Sequence, residues 1–249
     1  PMKLDAVRFF GLDVHLPVFL FTSGLTILFS SLVLIFPEAS TQFLSDSRNF
    51  VVSRFDTLFT VSMSAFVFII LFLIISPFGK IRLGGEGSKP EFGFFSWVCM
   101  LFAAGVGIGM TFYGAAEPLS YYTGVFGTPL GVTPGTEEAY RLAFSATIFH
   151  WGISGWSVYA IIGLSLAFFS YNWNLPLTIR SIFYPLLGDK IWSWQGDVID
   201  IIAVLATLFG LATSLGLGAQ QAASGLLYLF DLPNNILSQT LIIIFILSL

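Results

Sequence analysis

Residues 52–79 have the sequence VSRFDTLFTVSMSAFVFIILFLIISPFG, in which aliphatic and aromatic residues dominate after the first turn. About 20 apolar residues in a helix are enough to cross the hydrocarbon core of a bilayer. The segment shows no polar stripe at helical spacing, which is typical of a helix that faces lipid. It therefore predicts a membrane-spanning helix, and apolar runs of similar length recur along the chain.

The composition agrees with this interpretation. The mean hydropathy is +0.88 and only 10% of residues are charged, whereas a soluble domain carries about 25% charged residues. The net charge of −4 indicates no nucleic-acid partner. The single cysteine, Cys99, excludes an intrachain disulfide and gives no metal site. We predict an all-α polytopic membrane protein without a soluble domain.

The apolar runs predict about six spans. The chain begins with Pro1 and ends inside the run LSQTLIIIFILSL, so we expect it to be the N-terminal part of a longer protein. The aromatic-rich connection at 171–197 is predicted to be a short amphipathic helix at the membrane interface. The predicted spans are residues 17–36, 54–76, 93–122, 138–170, 197–220 and 235–249.

The positively charged residues predict an orientation. Seven lysines and arginines fall on one side of the predicted spans and three on the other, and the richer side is normally cytoplasmic. The N-terminus is therefore expected in the cytoplasm. The richer side holds Lys3, Arg8, Lys80, Arg82, Lys89, Arg180 and Lys190, and the other side holds Arg48, Arg54 and Arg141.

Glycine clusters occur within the third and fifth predicted spans. Glycine disfavours a helix interior by about 1 kcal/mol relative to alanine, so the clusters at 105–109 and 210–218 indicate either unwinding beside a cavity or close helix packing. Unwound backbone would offer amides to an anion and carbonyls to a cation. Thr207, Thr213 and Ser214 are candidate ion ligands, unless their hydroxyls bond their own helix.

The stretch FHWGISGWSVYA, residues 149–160, places two tryptophans and a tyrosine close together with Gly152 and Gly155 between them. On one continuous helix, Trp151, Trp156 and Tyr159 would share a broad arc. Aromatic faces can hold a cation that donates no hydrogen bonds, such as a quaternary ammonium. The alternative is an interfacial belt or ordinary packing.

Two ionisable residues lie near these aromatics in the sequence. His150 is predicted to be a packed, hydrogen-bonded histidine, with a proton relay as the alternative. Glu117, which precedes Pro118, is predicted to act as a cap or hinge, with direct ligand binding as the alternative.

Four motifs together resemble the betaine/carnitine/choline transporter family. They are GVGIGMTFYGAAEPLSYY, HWGISGWSVYA, YNWNLPLTIRSIFYPLLGD and DIIAVLATLFGLATSLGLGAQQ. The resemblance implies a twelve-helix fold, in which two helices precede a leucine-transporter-like core of two inverted repeats. Residues 1–90 would then be a tail and two peripheral helices, and residues 91–249 most of the first repeat.

The resemblance also implies roles for individual residues. Trp151, Trp156, Tyr159 and Phe112 match the aromatic pocket, and Gly105, Gly107 and Gly109 match the unwound stretch beside the substrate carboxylate. Thr207 matches a hydroxyl of one sodium site, and the carbonyls near Ala103 and Val106 match a second. Two positions depart from some members of the family: Leu211 stands where those members have a second hydroxyl, and Val106 where they have methionine.

These observations predict a secondary transporter for glycine betaine, choline, carnitine or a sulfonium analogue, working by alternating access. A channel or osmosensory receptor for the same ligands is the alternative. An enzyme is not expected, because His15 and His150 are far apart and no paired-carboxylate motif exists. We expect no cofactor beyond a candidate coupling Na⁺, a bacterial inner-membrane location, lipid contacts and a homotrimer.

Overall fold

The computed structural model describes residues 6–9, 12–125 and 127–248, without the side chains of residues 6–9, 12, 104–106 and 108. A short antiparallel hairpin of β1 (Ala6–Phe9) and β2 (Leu12–His15) comes first, a feature that the sequence did not predict. Helices account for most of the remainder, which confirms the predicted polytopic helical class. They are α1 (Leu16–Ile35), α2 (Pro37–Ile75), α3 (Phe94–Thr123), α4 (Glu137–Trp151), α5 (Ile153–Tyr171), α6 (Tyr184–Leu187), α7 (Trp194–Phe230) and α8 (Ile236–Leu247).

The chain forms two compact units. The first comprises the described residues up to Ser88 together with Ser154–Thr207, and the second comprises Lys89–Ile153 together with Leu208–Leu249. Among the described residues, four helical segments are long and apolar enough to cross a membrane. These are Leu16–Ile35, Pro37–Ile75, Glu137–Tyr171 and Trp194–Phe230, and shorter apolar stretches occupy Phe94–Ala103 and Ile236–Leu247.

The connection between α1 and α2 is a single residue. Phe36 has φ −126° and ψ 63°, and Pro37 begins the next helix. The proline ring disfavours helical backbone at the preceding residue, which ends α1 there. The predicted spans 17–36 and 54–76 place residues 37–53 in a loop. That interpretation is wrong, because these residues form the first turns of a 39-residue helix.

Two other predicted spans also differ from the observed helices. The span predicted at 138–170 is interrupted at Gly152, whose ψ of −151° separates α4 from α5. The span predicted at 197–220 continues to Phe230, and α7 remains helical through the glycines at 210–218. Unwinding of that second glycine cluster is thus wrong for this conformation, since the helix keeps its backbone hydrogen bonds despite the low propensity of glycine.

In the second unit, α3 and α4 pack against each other. The α4 surface that faces inward is built from small residues one turn apart, Ala139, Ala143 and Thr147, all of them buried. Small side chains let two helix backbones approach closely in a membrane. Thr136 caps α4 by accepting a hydrogen bond from the backbone N–H of Ala139 at 3.2 Å.

In the first unit, the connection before α7 surrounds a buried arginine. Arg180 has no exposed surface, and its guanidinium donates to Asp197 at 2.8 Å, to Asp200 at 2.6 Å and to the carbonyl of Ile191 at 3.2 Å. Asp197 also lies 2.7 Å from His15 Nε2.

This network corrects the expected amphipathic helix at 171–197. The connection is instead a chain of short turns, with 3-10 helices at Ile179–Phe183 and Gly188–Trp192 on either side of α6. Its geometry is set by the ion pairs, because a buried charge requires partners that a lipid-facing amphipathic helix would not supply.

Candidate functional site

The glycine-rich part of α3 contains a break in the helix. Gly107 has φ 26° and ψ −167°, a conformation outside the helical region that side chains with a Cβ rarely adopt. The hydroxyl of Thr111 donates to the Gly107 carbonyl at 3.1 Å. Of the two alternatives for the third span, unwinding or close packing, the structure shows non-helical backbone at Gly107, whereas the side-chain surroundings of Gly105 and Val106 lie outside the described part of the chain.

One face of α3 contacts the indole of Trp151 at three successive turns. A Cβ at Gly109 would lie 3.3 Å from the six-membered ring of Trp151. The Tyr113 ring stacks with the indole at a centroid distance of 6.2 Å and an angle of 30°. Glu117 Oε2 accepts a hydrogen bond from Trp151 Nε1 at 2.7 Å. Residues four apart share a helix face, so these three residues form a continuous cradle for the indole.

Glu117 links Trp151 to its neighbour in the chain. The residue is only 6% exposed, and its second oxygen, Oε1, lies 2.6 Å from Nδ1 of His150. The side chain of His150 is 57% exposed, and its ring lies 6.4 Å from that of Tyr121. The histidine is hydrogen-bonded as expected but is not packed in a core, since it sits on the last turn of α4 with its far side open.

Phe112 faces a different part of the second unit. Its ring meets Tyr113 edge-on at 5.1 Å, and it lines an open cavity of about 450 Å³ with residues of α3 and α7. The polar wall of that cavity comes from Gln220, Gln221 and Ser224. Four of the predicted site residues thus lie within the second unit: Gly107, Gly109 and Phe112 on α3, and Trp151 at the end of α4.

Trp156 and Tyr159 lie on α5, in the first unit. Their rings meet edge-to-face at a centroid distance of 6.0 Å, and Tyr159 is exposed. The expected arc with Trp151 counted 100° per residue along one continuous helix, and that premise is wrong because Gly152 separates α4 from α5. Their membership in one pocket with Trp151 stays a prediction.

The candidate ion ligands have ordinary helical surroundings. The hydroxyl of Thr207 donates to the carbonyl of Ala203 at 2.8 Å, and that of Thr213 to Phe209 at 2.9 Å. These are the bonds that threonine normally makes to its own helix. Ser214 and Ala103 are exposed, and among the described residues there is no cluster of three metal-binding side chains. Sodium binding at these positions stays a prediction.

Sequence reasoning missed two contributions to the site. It did not single out Tyr113, and it predicted Glu117 to be a cap or hinge, with direct ligand binding as the alternative. The spacing of Gly109, Tyr113 and Glu117 at four-residue intervals was the available signal, since it places a small, an aromatic and an acidic residue on one helix face. The spacing alone could not show that this face of α3 meets Trp151 at the end of α4.

Comparison with known proteins identifies the family. Residues 17–249 match the model of "BCCT, betaine/carnitine/choline family transporter". Glycine betaine transporter 1 of Vibrio parahaemolyticus is 50% identical over 240 residues, covering 96% of this chain and 46% of that protein.

Two further relatives come from other bacteria. The glycine betaine transporter OpuD of Bacillus subtilis is 45% identical, over 84% of this chain and 40% of its own length. The high-affinity choline transport protein of Escherichia coli K12 is 41% identical, over 91% of this chain and 33% of its own length. The chain thus spans less than half the length of these relatives. With a family match across nearly its whole length and helices of membrane-spanning length, this chain belongs to the betaine/carnitine/choline family of transporters and is an integral membrane protein.

Proposed function

We propose that the protein carrying this chain is a secondary transporter of small quaternary-ammonium compounds, with glycine betaine and choline as the first candidates. The observation that carries the proposal is the Trp151 indole, which Gly109, Tyr113 and Glu117 hold on the α3 face two residues beyond the break at Gly107. Two of the relatives are named as transporters of glycine betaine and of choline, which supports the same substrate class.

The chemistry of the substrate fits these groups. A trimethylammonium group has no N–H, so it is attracted to aromatic faces, each worth roughly 0.5–2 kcal/mol. The carboxylate of a betaine needs hydrogen-bond donors instead. The backbone of α3 is non-helical at Gly107, and unwound backbone in transporter helices supplies amides to anionic groups. Carnitine and sulfonium analogues share both features and belong to the same proposed range.

The proposed carrier works by alternating access rather than as an open channel. The first experiment is uptake of labelled glycine betaine by the full-length protein in proteoliposomes, with choline, carnitine and dimethylsulfoniopropionate as unlabelled competitors. A carrier saturates and shows counterflow when the vesicles are preloaded with unlabelled substrate. Uptake that rises linearly with concentration, without counterflow, would contradict the proposal and favour a channel.

Matched tryptophan variants test whether the proposed pocket is the binding site. We expect Trp156→Ala to raise the KM for glycine betaine about tenfold, because removal of one aromatic face costs on the order of 1–2 kcal/mol. Trp97→Ala is the control, since Trp97 lies near the start of α3 and contacts Phe94. Equal effects of the two substitutions on KM would argue that the aromatic residues of α5 do not bind substrate.

The coupling ion is proposed to be Na⁺ or H⁺, and the third possibility is substrate exchange. Thr207 and the carbonyls near Ala103 and Val106 are the proposed sodium ligands, with Ser214 as a further candidate. Comparing uptake under a sodium gradient, a proton gradient and no gradient separates the three modes. If sodium drives uptake, Thr207→Val should raise the sodium concentration needed for half-maximal uptake, and Leu211→Thr should lower it by restoring a hydroxyl one turn away.

A further inference from the structure

We propose that Glu117 is a positioning residue, which fixes the indole of Trp151 in the orientation that binds a cationic substrate. This inference rests on the proposed transport function but concerns a different residue and a different type of contact. Glu117 does not itself touch the substrate in this proposal. It acts through the hydrogen bond from Trp151 Nε1 to its Oε2, which measures 2.7 Å.

The burial of Glu117 makes that bond strong. The residue is 6% exposed, and a carboxylate shielded from water must have its oxygens satisfied by protein donors. A hydrogen bond to a charged acceptor is roughly twice as strong as one between neutral groups. Both oxygens are engaged: Oε2 accepts from Trp151, and Oε1 lies 2.6 Å from Nδ1 of His150.

The position of His150 and Trp151 at the end of α4 explains how the side chain of Glu117 reaches two consecutive residues. His150 and Trp151 end α4, and the chain turns at Gly152 into α5. Their side chains diverge by about 100° around the helix axis, and a carboxylate with two oxygens can bridge that divergence. The bridge ties the last turn of α4 to α3 at the residue where the helix ends.

Three contacts with described residues of α3 restrict the orientation of the indole. The nitrogen is held by Glu117, the Tyr113 ring stacks on the indole, and Gly109 leaves room for its six-membered ring with a hypothetical Cβ only 3.3 Å away. Rotation about the side-chain torsions of Trp151 would break at least the hydrogen bond. Because attraction between a cation and a ring requires the cation over the ring face within about 6 Å of its centre, substrate affinity depends on this orientation.

The test is a double-mutant cycle in the full-length protein, reconstituted in proteoliposomes. Glu117→Leu removes the acceptor, and Trp151→Phe removes the indole N–H while keeping an aromatic ring. We expect Glu117→Leu to raise the KM for glycine betaine about 10- to 100-fold, the loss of one hydrogen bond to a charged group. In the Trp151→Phe background, Glu117→Leu should have little further effect on KM, because its bond to the indole is already absent and its remaining contact, to His150, does not orient the ring.

Two other variants separate positioning from a direct or a general structural role. Glu117→Gln keeps an amide oxygen for Trp151 Nε1, so KM should rise only about fivefold. Glu138→Gln is the matched control, an exposed carboxylate in the first turn of α4, and it should leave KM unchanged. A Glu117→Gln variant as impaired as Glu117→Leu would overturn the proposal, as would effects of Glu117→Leu and Trp151→Phe that multiply in the double variant.

A spectroscopic readout makes the test independent of transport and of the leucine variant. The indole N–H hydrogen-bond marker in ultraviolet resonance Raman spectra can be assigned to Trp151 by subtracting the spectrum of Trp151→Phe. Glu117→Gln should shift this marker toward a weaker bond, and an unchanged marker would overturn the positioning role. If the wild-type protein shows no saturable betaine uptake, the proposed function fails, whereas the marker still reports whether Glu117 holds the indole.

Discussion

Replacing Arg180 by alanine should destabilise the first unit strongly. The guanidinium is fully buried and donates to Asp197, Asp200 and the Ile191 carbonyl. Its removal leaves two carboxylates without their cation, and breaking a buried ion pair in this way costs about 3–5 kcal/mol. Because the Asp197 side chain is 20% exposed and keeps its contact with His15, water offsets part of the loss. We therefore expect a value near the lower end of that range.

The assay is the free energy of unfolding of the full-length protein, measured by SDS titration in mixed micelles. Arg141→Ala is the matched control, because Arg141 pairs with Glu137 at 2.6 Å on a surface where its side chain is 75% exposed. An exposed pair one turn apart contributes about 0.3–0.5 kcal/mol. Adding Asp200→Asn to Arg180→Ala should recover part of the loss by removing one uncompensated charge. A loss for Arg180→Ala as small as that for Arg141→Ala would refute the reasoning.

Four glycines give further predictions. Gly107→Ala should destabilise the protein by about 1–3 kcal/mol, because alanine disfavours the positive φ of this position. Gly114 has open space around it, so Gly114→Ala should be neutral or stabilising by up to about 1 kcal/mol. Thermal unfolding of the two variants measures both effects. Gly109→Ala should move the indole of Trp151, which its new methyl group would crowd at 3.3 Å, and an unchanged Raman indole spectrum would contradict this. Gly196→Ala should greatly reduce the yield of folded protein in size-exclusion chromatography, since the methyl group would overlap the backbone carbonyl oxygen of Ile191, and a normal yield would contradict this close approach at the start of α7.

Hydropathy and glycine spacing were sufficient to predict much of the fold. The apolar runs located the helices because length and lack of charge are direct requirements of the bilayer. The alternating glycines at 105–109 predicted either unwinding or close packing of α3, and the structure has non-helical backbone at Gly107. Both predictions depend on residues close in sequence, where local physical constraints dominate.

The remaining features depend on contacts between distant residues. Glycines at 210–218 have the same propensity as those in α3, yet α7 is continuous through them. The partners of Arg180 lie 17 and 20 residues away, so the positive charge was assigned to a membrane surface when it is buried in an ion network. Likewise, Glu117 is 34 residues from Trp151. A pattern within one helix reveals which residues share a face, but not what that face meets.

The length of α2 has a mechanical consequence. Its 39 residues extend about 58 Å at 1.5 Å per residue, and the hydrocarbon core of a bilayer is about 30 Å thick. Even across the headgroup regions, which bring the bilayer to about 40–45 Å, an upright helix would project beyond the surface. With Phe36 as the sole connecting residue, the corner between α1 and α2 has little slack to absorb that excess. We therefore expect the helix to respond as a rigid rod, so that a change in bilayer thickness or tilt at one end displaces the other end.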